Sequence, residues 1–227
     1  MIEEIRQYVI DRSEAYRRGS EDHYDFWNEH IRYVYQEAVG LAQIYHADKT
    51  VVSLGALLHD IALIEKAGDK KDHHLYGKIL SNEILNRFLC PEEIKERVLG
   101  CVLHHRSAKN AENIEELCVC DADILAHFDN IPMLFNSAFN VHGVPLSEVR
   151  EWMKNAFEKD YQDLSDRTKE LFSERYHQII DVVIGSKLLV FLSSRRECGE
   201  YESDRKCTGS CSKHRRKKQA ELYRGTG

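Results

Sequence analysis

Proline and glycine are scarce in this chain, three and twelve among 227 residues. That scarcity excludes collagen-like and low-complexity classes and leaves few breakers to interrupt helices. No run of about 18 apolar residues occurs, so no membrane-spanning helix is expected. The amino end, Met1-Ile2-Glu3-Glu4-Ile5-Arg6, is acidic and lacks the apolar stretch of a signal peptide, so the expected compartment is the cytoplasm. Positive charge is not in excess either. Thirty-two Lys and Arg stand against thirty-eight Asp and Glu, a formal net charge of −6, so no global field draws nucleic acid and any basic surface must be local. Seven cysteines, at 90, 101, 118, 120, 198, 207 and 211, form an odd, scattered set that suits reduced thiols or a metal site better than a disulfide framework. Strand-like alternation of useful length and internal repeats are also missing.

What is present is helical periodicity. From Tyr24 to His46 the apolar positions Phe26/Trp27, Ile31, Val34, Val39, Leu41/Ala42 and Ile44 recur at helical spacing, and a second helix begins at the cap Asp48 and carries Val51, Val52, Leu54, Leu57, Leu58 and Ile61. The polar stretch Glu65 to Asp72 reads as a loop. A third helix is expected over His73 to Phe88, and Pro91 at a first-turn position opens a fourth ending near His105. Ser107 to Glu116 reads as a loop, Leu117 to Phe128 as a helix and Asn136 to Pro145 as a turn region. Ser147 can cap a further helix, and Asp166 to Ser194 reads as a last long one.

The expected architecture is an all-α bundle over residues 1–195, with a chemical core at about 24–131 and a helical C-terminal part at 145–195. Residues 196–227 carry little apolar content and include Lys213-His214-Arg215-Arg216-Lys217-Lys218, which reads as a disordered basic tail. RNA, another nucleic acid or an acidic partner are the ligands such a tail could take. Cys198, Cys207, Cys211 and His214 in it match no common zinc spacing, and Cys118-Val119-Cys120 reads as packing.

Polar residues intrude on the apolar helices at particular places. His59-Asp60 ends the run Leu54-Gly55-Ala56-Leu57-Leu58, where a buried unpaired carboxylate would cost several kcal/mol. A bound cation removes that cost. His30 lies beside Ile31, His104-His105 end the run Val98 to Leu103, and Asp121-Ala122-Asp123 interrupts Leu117 to Phe128. Mixed imidazole and carboxylate ligation suits a divalent ion such as Mn, Fe, Co, Ni, Zn or Mg.

The ordered set His30, His59-Asp60 and Asp123, the last in an Ala-Asp dipeptide, resembles the H…HD…D signature of the HD-domain metal-dependent phosphohydrolases, an all-helical family. The resemblance covers roughly residues 24–131 and implies that His30, His59, Asp60 and Asp123 ligate one divalent ion. Members with more than one ion add a His at the head of the next helix, four residues before a Gly, and a His-His pair closing the helix after it. His73 with Gly77 and His104-His105 fit that extension, which implies a second metal position from His73, His104 and His105 with Asp60 bridging. A basic residue usual after the final Ala-Asp is replaced here by Ile124.

A divalent ion lowers the pKa of bound water from 15.7 to about 7, and two ions can clamp the attacking and leaving oxygens at phosphorus. The reading that follows is hydrolysis of a phosphoester or phosphoanhydride of a nucleotide or related small phosphate. In it Asp60 and His73 serve catalysis, and Arg106 and Lys109 neutralise phosphate charge, Arg106 with a catalytic share. Two other classes compete: a diiron oxygenase on the same fold, and a non-catalytic, metal-stabilised module that binds RNA or a protein through its basic tail. Asp121 competes with Asp123, since residues two apart on a helix point about 200° apart and only one can face the ion. His105 can equally stand behind the ligands and His74 at the surface. His23, His46, His127, His142 and His177 are read as ordinary.

Overall fold

The computed structural model describes residues 1–185, and among these there are helices and no strands. The final stretch of the expected last helix, the boundary at Arg195, the basic cluster and Cys198, Cys207, Cys211 and His214 lie outside the described residues. No helix among the described residues is long and apolar enough to cross a membrane.

The chain starts with α1 (Ile2–Gly19), which the periodicity argument did not single out. Only Ile5, Val9 and Ser13 are buried, and charged residues take up much of the remaining surface, so its apolar stripe is too thin to stand out. A single π-helical turn, Trp27–Ile31, then leads without a break into α2 (Arg32–Tyr45). Asp48 caps α3 (Lys49–Leu58) as expected, its carboxylate accepting from the amides of Thr50 at 2.9 Å and Val51 at 3.3 Å. The expected continuation of that helix through Ile61 does not occur. The chain turns at His59-Asp60 and resumes as the single turn α4 (Ile61–Ile64).

Next come α5 (His73–Arg87) and α6 (Glu92–His104), close to their expected bounds. Helix α7 (Ile114–Asp129) begins three residues before the expected Leu117, because Asn113 caps it by accepting from the Glu116 amide at 3.0 Å. The region expected as a turn is entered by α8 (Ile131–Asn136) and includes a second π turn, Ser137–Val141. Helices α9 (Val149–Asp163) and α10 (Asp166–Ile184) follow. The cap before α9 is Glu148 rather than Ser147.

Helix α3 is the centre of the core: every residue from Val51 to Leu58 is buried. It packs against α2, α6 and α7, and the close approach is made at Gly55, where an added Cβ would lie 2.7 Å from Cys101 Cβ and 3.1 Å from Val119 Cγ2. Gly55→Ala is therefore expected to lower stability by about 1–3 kcal/mol, overpacking outweighing the gain in helix propensity, as chemical denaturation will show. Cys90, Cys101, Cys118 and Cys120 are buried free thiols. Around Phe128 a second aromatic group forms, with the Phe157 and Phe172 rings each centred 4.9 Å away.

Candidate metal centre

Five elements deliver side chains to one place. The π turn brings in His30, the α3–α4 turn His59 and Asp60, the start of α5 His73, the end of α6 His105, and α7 Asp123 and His127. A wide turn at Trp27–Ile31 is a common device for re-aiming a side chain at a functional site. At Gly77 an added Cβ would meet Val102 Cγ1 at 3.2 Å, so α5 lies tight against α6 and His73 reaches His105.

The geometry divides into two groups that share one carboxylate. His30 Nε2 lies 3.1 Å from His59 Nε2 and 3.0 Å from Asp123 Oδ1, and both imidazole nitrogens are 3.5 Å from Asp60 Oδ2. The other oxygen, Asp60 Oδ1, lies 3.2 Å from His73 Nε2 and 3.7 Å from His105 Nε2. His59 and Asp60 are buried, as are His30 and His105.

This donor set fits a cation. His73 Nδ1 donates to the Lys70 carbonyl at 2.8 Å, and His105 Nδ1 donates to the Val102 carbonyl at 2.7 Å. A carbonyl only accepts, so in each neutral ring the proton sits on Nδ1 and Nε2 carries a bare lone pair. Those two lone pairs face each other at 2.9 Å, an arrangement that repels unless a positive centre lies with them. His59 is set the same way, its Nδ1 donating to the Ala56 carbonyl at 2.8 Å. Such backbone anchoring of the far nitrogen is how ligating histidines are oriented.

Without an ion, the carboxylates of the cluster favour positive charge beside them. Burial pushes the His59 imidazole down, but the Asp60 carboxylate beside it outweighs burial and raises it to about 9. Burial likewise works against the Asp60 carboxylate, yet the charge and hydrogen bond of His59 and the hydrogen bond of His73 hold it well below the usual carboxylate range. Asp123 is depressed too, its burial outweighed by the hydrogen bond from His30. His105, buried and close to His59, is pushed down to about 4, which keeps it neutral and able to ligate.

The structure brings His30, His59, Asp60, Asp123, His73 and His105 together, but not His104. In the last turn of α6 adjacent side chains diverge by about 100°, and only one of the pair can face Asp60. His104 Nδ1 instead donates to Glu116 Oε2 at 2.8 Å. Gly100 makes room for that contact, since a Cβ there would lie 2.5 Å from Glu116 Oε1. Asp121 points away from the cluster. Asp121 is fully buried and accepts from the Ser165 amide at 2.9 Å and from the hydroxyls of Ser165 and Thr168, each at 2.5 Å, at the start of α10. Arg106 borders a cavity of about 240 Å³ with Asp60, His73, His105 and Asp123, and its Nη1 donates to the Lys71 carbonyl at 2.5 Å. Lys109, exposed on a short 3₁₀ turn, does not line that cavity.

Sequence reasoning passed over His127, whose ring nitrogen lies within 4.8 Å of donor atoms on His30 and Asp123. The signal was its place four residues after Asp123, one turn along the same face. It also passed over Lys66, Lys70 and Tyr24, which line a larger cavity of about 640 Å³ on the His30 side of the cluster.

Residues 28–127 match the family model of the HD domain. No curated protein sequence matches this chain. A crystal structure of an HD-superfamily hydrolase from Bacillus thuringiensis is similar to it at a TM-score of 0.57 and 15% identity, covering 88% of this chain and 100% of that one. At that identity the likeness is one of fold. The matched segment contains the clustered imidazoles and carboxylates from His30 to His127, and within it this chain is an HD domain.

Proposed function

We propose that the protein is a metal-dependent phosphohydrolase acting on a nucleotide or related small phosphate. The observation that carries the reading is the division of Asp60 between two imidazole groups, Oδ2 toward His30 and His59 and Oδ1 toward His73 and His105, as a carboxylate bridging two ions would require. His30, His59, Asp60 and Asp123 would hold the first ion, and Asp60, His73 and His105 the second. Divalent ions so held supply an ionised water near neutral pH and electrophilic stabilisation of phosphoryl oxygens.

The chain's own residues do the rest. Asp60, ionised and shared between the groups, orients the attacking water. His73, anchored by its Nδ1–H on the Lys70 carbonyl, presents Nε2 to the second position beside Asp60 at the small cavity. Arg106 closes the other side of that cavity and pairs with phosphoryl charge. Its guanidinium already holds the Lys71 carbonyl, so it is aimed before substrate arrives.

The test is elemental analysis of protein purified without added metal, followed by assay with that metal restored against generic phosphodiesters and nucleoside mono-, di- and triphosphates. Hydrolysis of at least one compound, abolished by chelation, is expected. Chelation should also lower the melting temperature, because a cation at a thousand times its Kd stabilises the folded state by about 4 kcal/mol. Loss of activity only under anaerobiosis, with oxygen uptake and iron as the native metal, would replace hydrolysis by oxygenation.

A further inference from the structure

The larger cavity, about 640 Å³, joins two parts of the chain beside the metal cluster. Its inner end shares His30, Asp60 and Leu63 with the small cavity, and one side carries the Phe26 and Tyr24 rings, edge to face at 4.8 Å. A further wall comes from Met133, Asn136, Ser137 and Val141, on α8 and the π turn after it, all beyond the segment matched by the HD model. Wide turns of this kind gather at functional sites, yet this one, unlike Trp27–Ile31, brings no residue to the cluster.

That wall is fixed to the ligands. Asn130, buried before α8, donates from Nδ2 to the Glu29 carbonyl at 2.8 Å and to the Glu29 carboxylate at 2.9 Å, while its Oδ1 accepts from the Met133 amide at 3.4 Å. Glu29 lies in the turn that presents His30, so α8 is tied to the same turn as that ligand. At the other end of the wall Ala138 is fully buried, and its carbonyl accepts from the Val144 amide at 2.8 Å.

The chemistry of the lining selects an occupant. Phe26, Leu63 and Met133 offer apolar contact, whereas Asn136, Lys66 and Lys70, all exposed, offer donors at the rim. Asn136 Oδ1 accepts from Asn140 Nδ2 at 2.5 Å, which leaves the Asn136 NH2 group to donate. A flat ring with an oxo group on its edge satisfies both regions. A bare sugar phosphate leaves the apolar side unfilled, and an acyl chain leaves the donors unpaired. Among small phosphates, that ring is a nucleobase.

We propose that α8 and its π turn determine specificity: the base lies against Phe26 and Met133, and Asn136 donates to an oxo group where adenine and cytosine carry an amino group. The proposal rests on the phosphohydrolase reading and narrows its substrate to nucleotides of guanine, uracil or thymine.

It is tested on the metal-loaded full chain with nucleotides of adenine, cytosine, guanine and uracil, and with the same phosphate on ribose without a base. The kcat/KM for a guanine or uracil nucleotide is expected to exceed that for adenine or cytosine about tenfold, and that for the base-free compound about 100-fold. Asn136→Asp keeps the acceptor for Asn140 but replaces the donor, so the preference should move toward adenine or cytosine, a reversal that a merely structural change does not produce. Met133→Ala should raise KM for nucleotides about tenfold with less effect on kcat, and calorimetric affinity for the unphosphorylated nucleoside should fall by a similar factor. Metal per chain and circular dichroism should match wild type in both variants. Hydrolysis of the base-free compound as fast as of any nucleotide would overturn this proposal alone. A base preference that Asn136→Asp leaves in place would overturn the role of Asn136, and unchanged KM and nucleoside affinity in Met133→Ala would overturn that of the wall. Should the wild-type protein hydrolyse no phosphate at all, the phosphohydrolase reading fails and this proposal falls with it.

Discussion

Asp60→Asn is expected to lower phosphohydrolysis by three orders of magnitude or more, on the order of 4 kcal/mol in transition-state stabilisation. No other side chain of the cluster faces both groups: one oxygen is 3.5 Å from His30 and His59, the other 3.2 Å from His73. An amide keeps the volume but presents an NH2 toward one imidazole pair, so at least one position loses its anionic donor. The check is kcat/KM together with metal counted per chain and circular dichroism of the purified variant. A folded variant with full metal content and near wild-type turnover would remove Asp60 from the mechanism. Folded protein with about half the metal and no turnover is the result the bridging geometry requires.

Asp121→Ala should be the most destabilising change in the bundle and should leave metal content alone. The carboxylate is fully buried and ties α7 to the start of α10 through the Ser165 amide and the hydroxyls of Ser165 and Thr168. Thr168 also meets the Tyr45 hydroxyl at 2.7 Å, so α2 joins the same network. Truncation strands three donors in a dry place and removes the partner of the α10 cap, a loss of about 3–5 kcal/mol. Denaturant unfolding of the metal-free protein measures it. Asp123→Ala, two residues away, is the matched control: it should cost metal binding and activity with a much smaller effect on metal-free stability. If the two variants behaved alike, the assignment of one carboxylate to architecture and the other to the ions would be wrong.

These paired carboxylates also mark what could be read from the amino-acid string. The helical periodicity and the polar intrusions at His30, His59, Asp60, His73, His105 and Asp123 were legible because burial and charge conflict at each of them, and that conflict needs no coordinates to be seen. Which of Asp121 and Asp123 faces inward was not legible, since both lie among apolar neighbours and the partner of Asp121 is a cap more than forty residues ahead. The same ambiguity led His104 to be counted with His73, although rotation along α6 gives that place to His105 and turns His104 to Glu116. His127 was passed over because a lone histidine in an apolar helix has no conflict as sharp as that of a carboxylate. Helix α1 escaped notice for the opposite reason: it buries only three residues and carries charge along much of its length.

The π turn at Trp27–Ile31 ties the ligand set to the length of the chain. A wide turn of this kind arises when one surplus residue is accommodated inside an otherwise regular helix. Removing the residue between His30 and α2 would relax the turn to an ordinary coil of 3.6 residues and swing the His30 imidazole by about 100° away from His59. Substitution can be repaired by a neighbour of similar chemistry, but a frameshift in space cannot. Insertions and deletions between His30 and α2 are therefore filtered by inorganic chemistry as strictly as any exchange of a ligand.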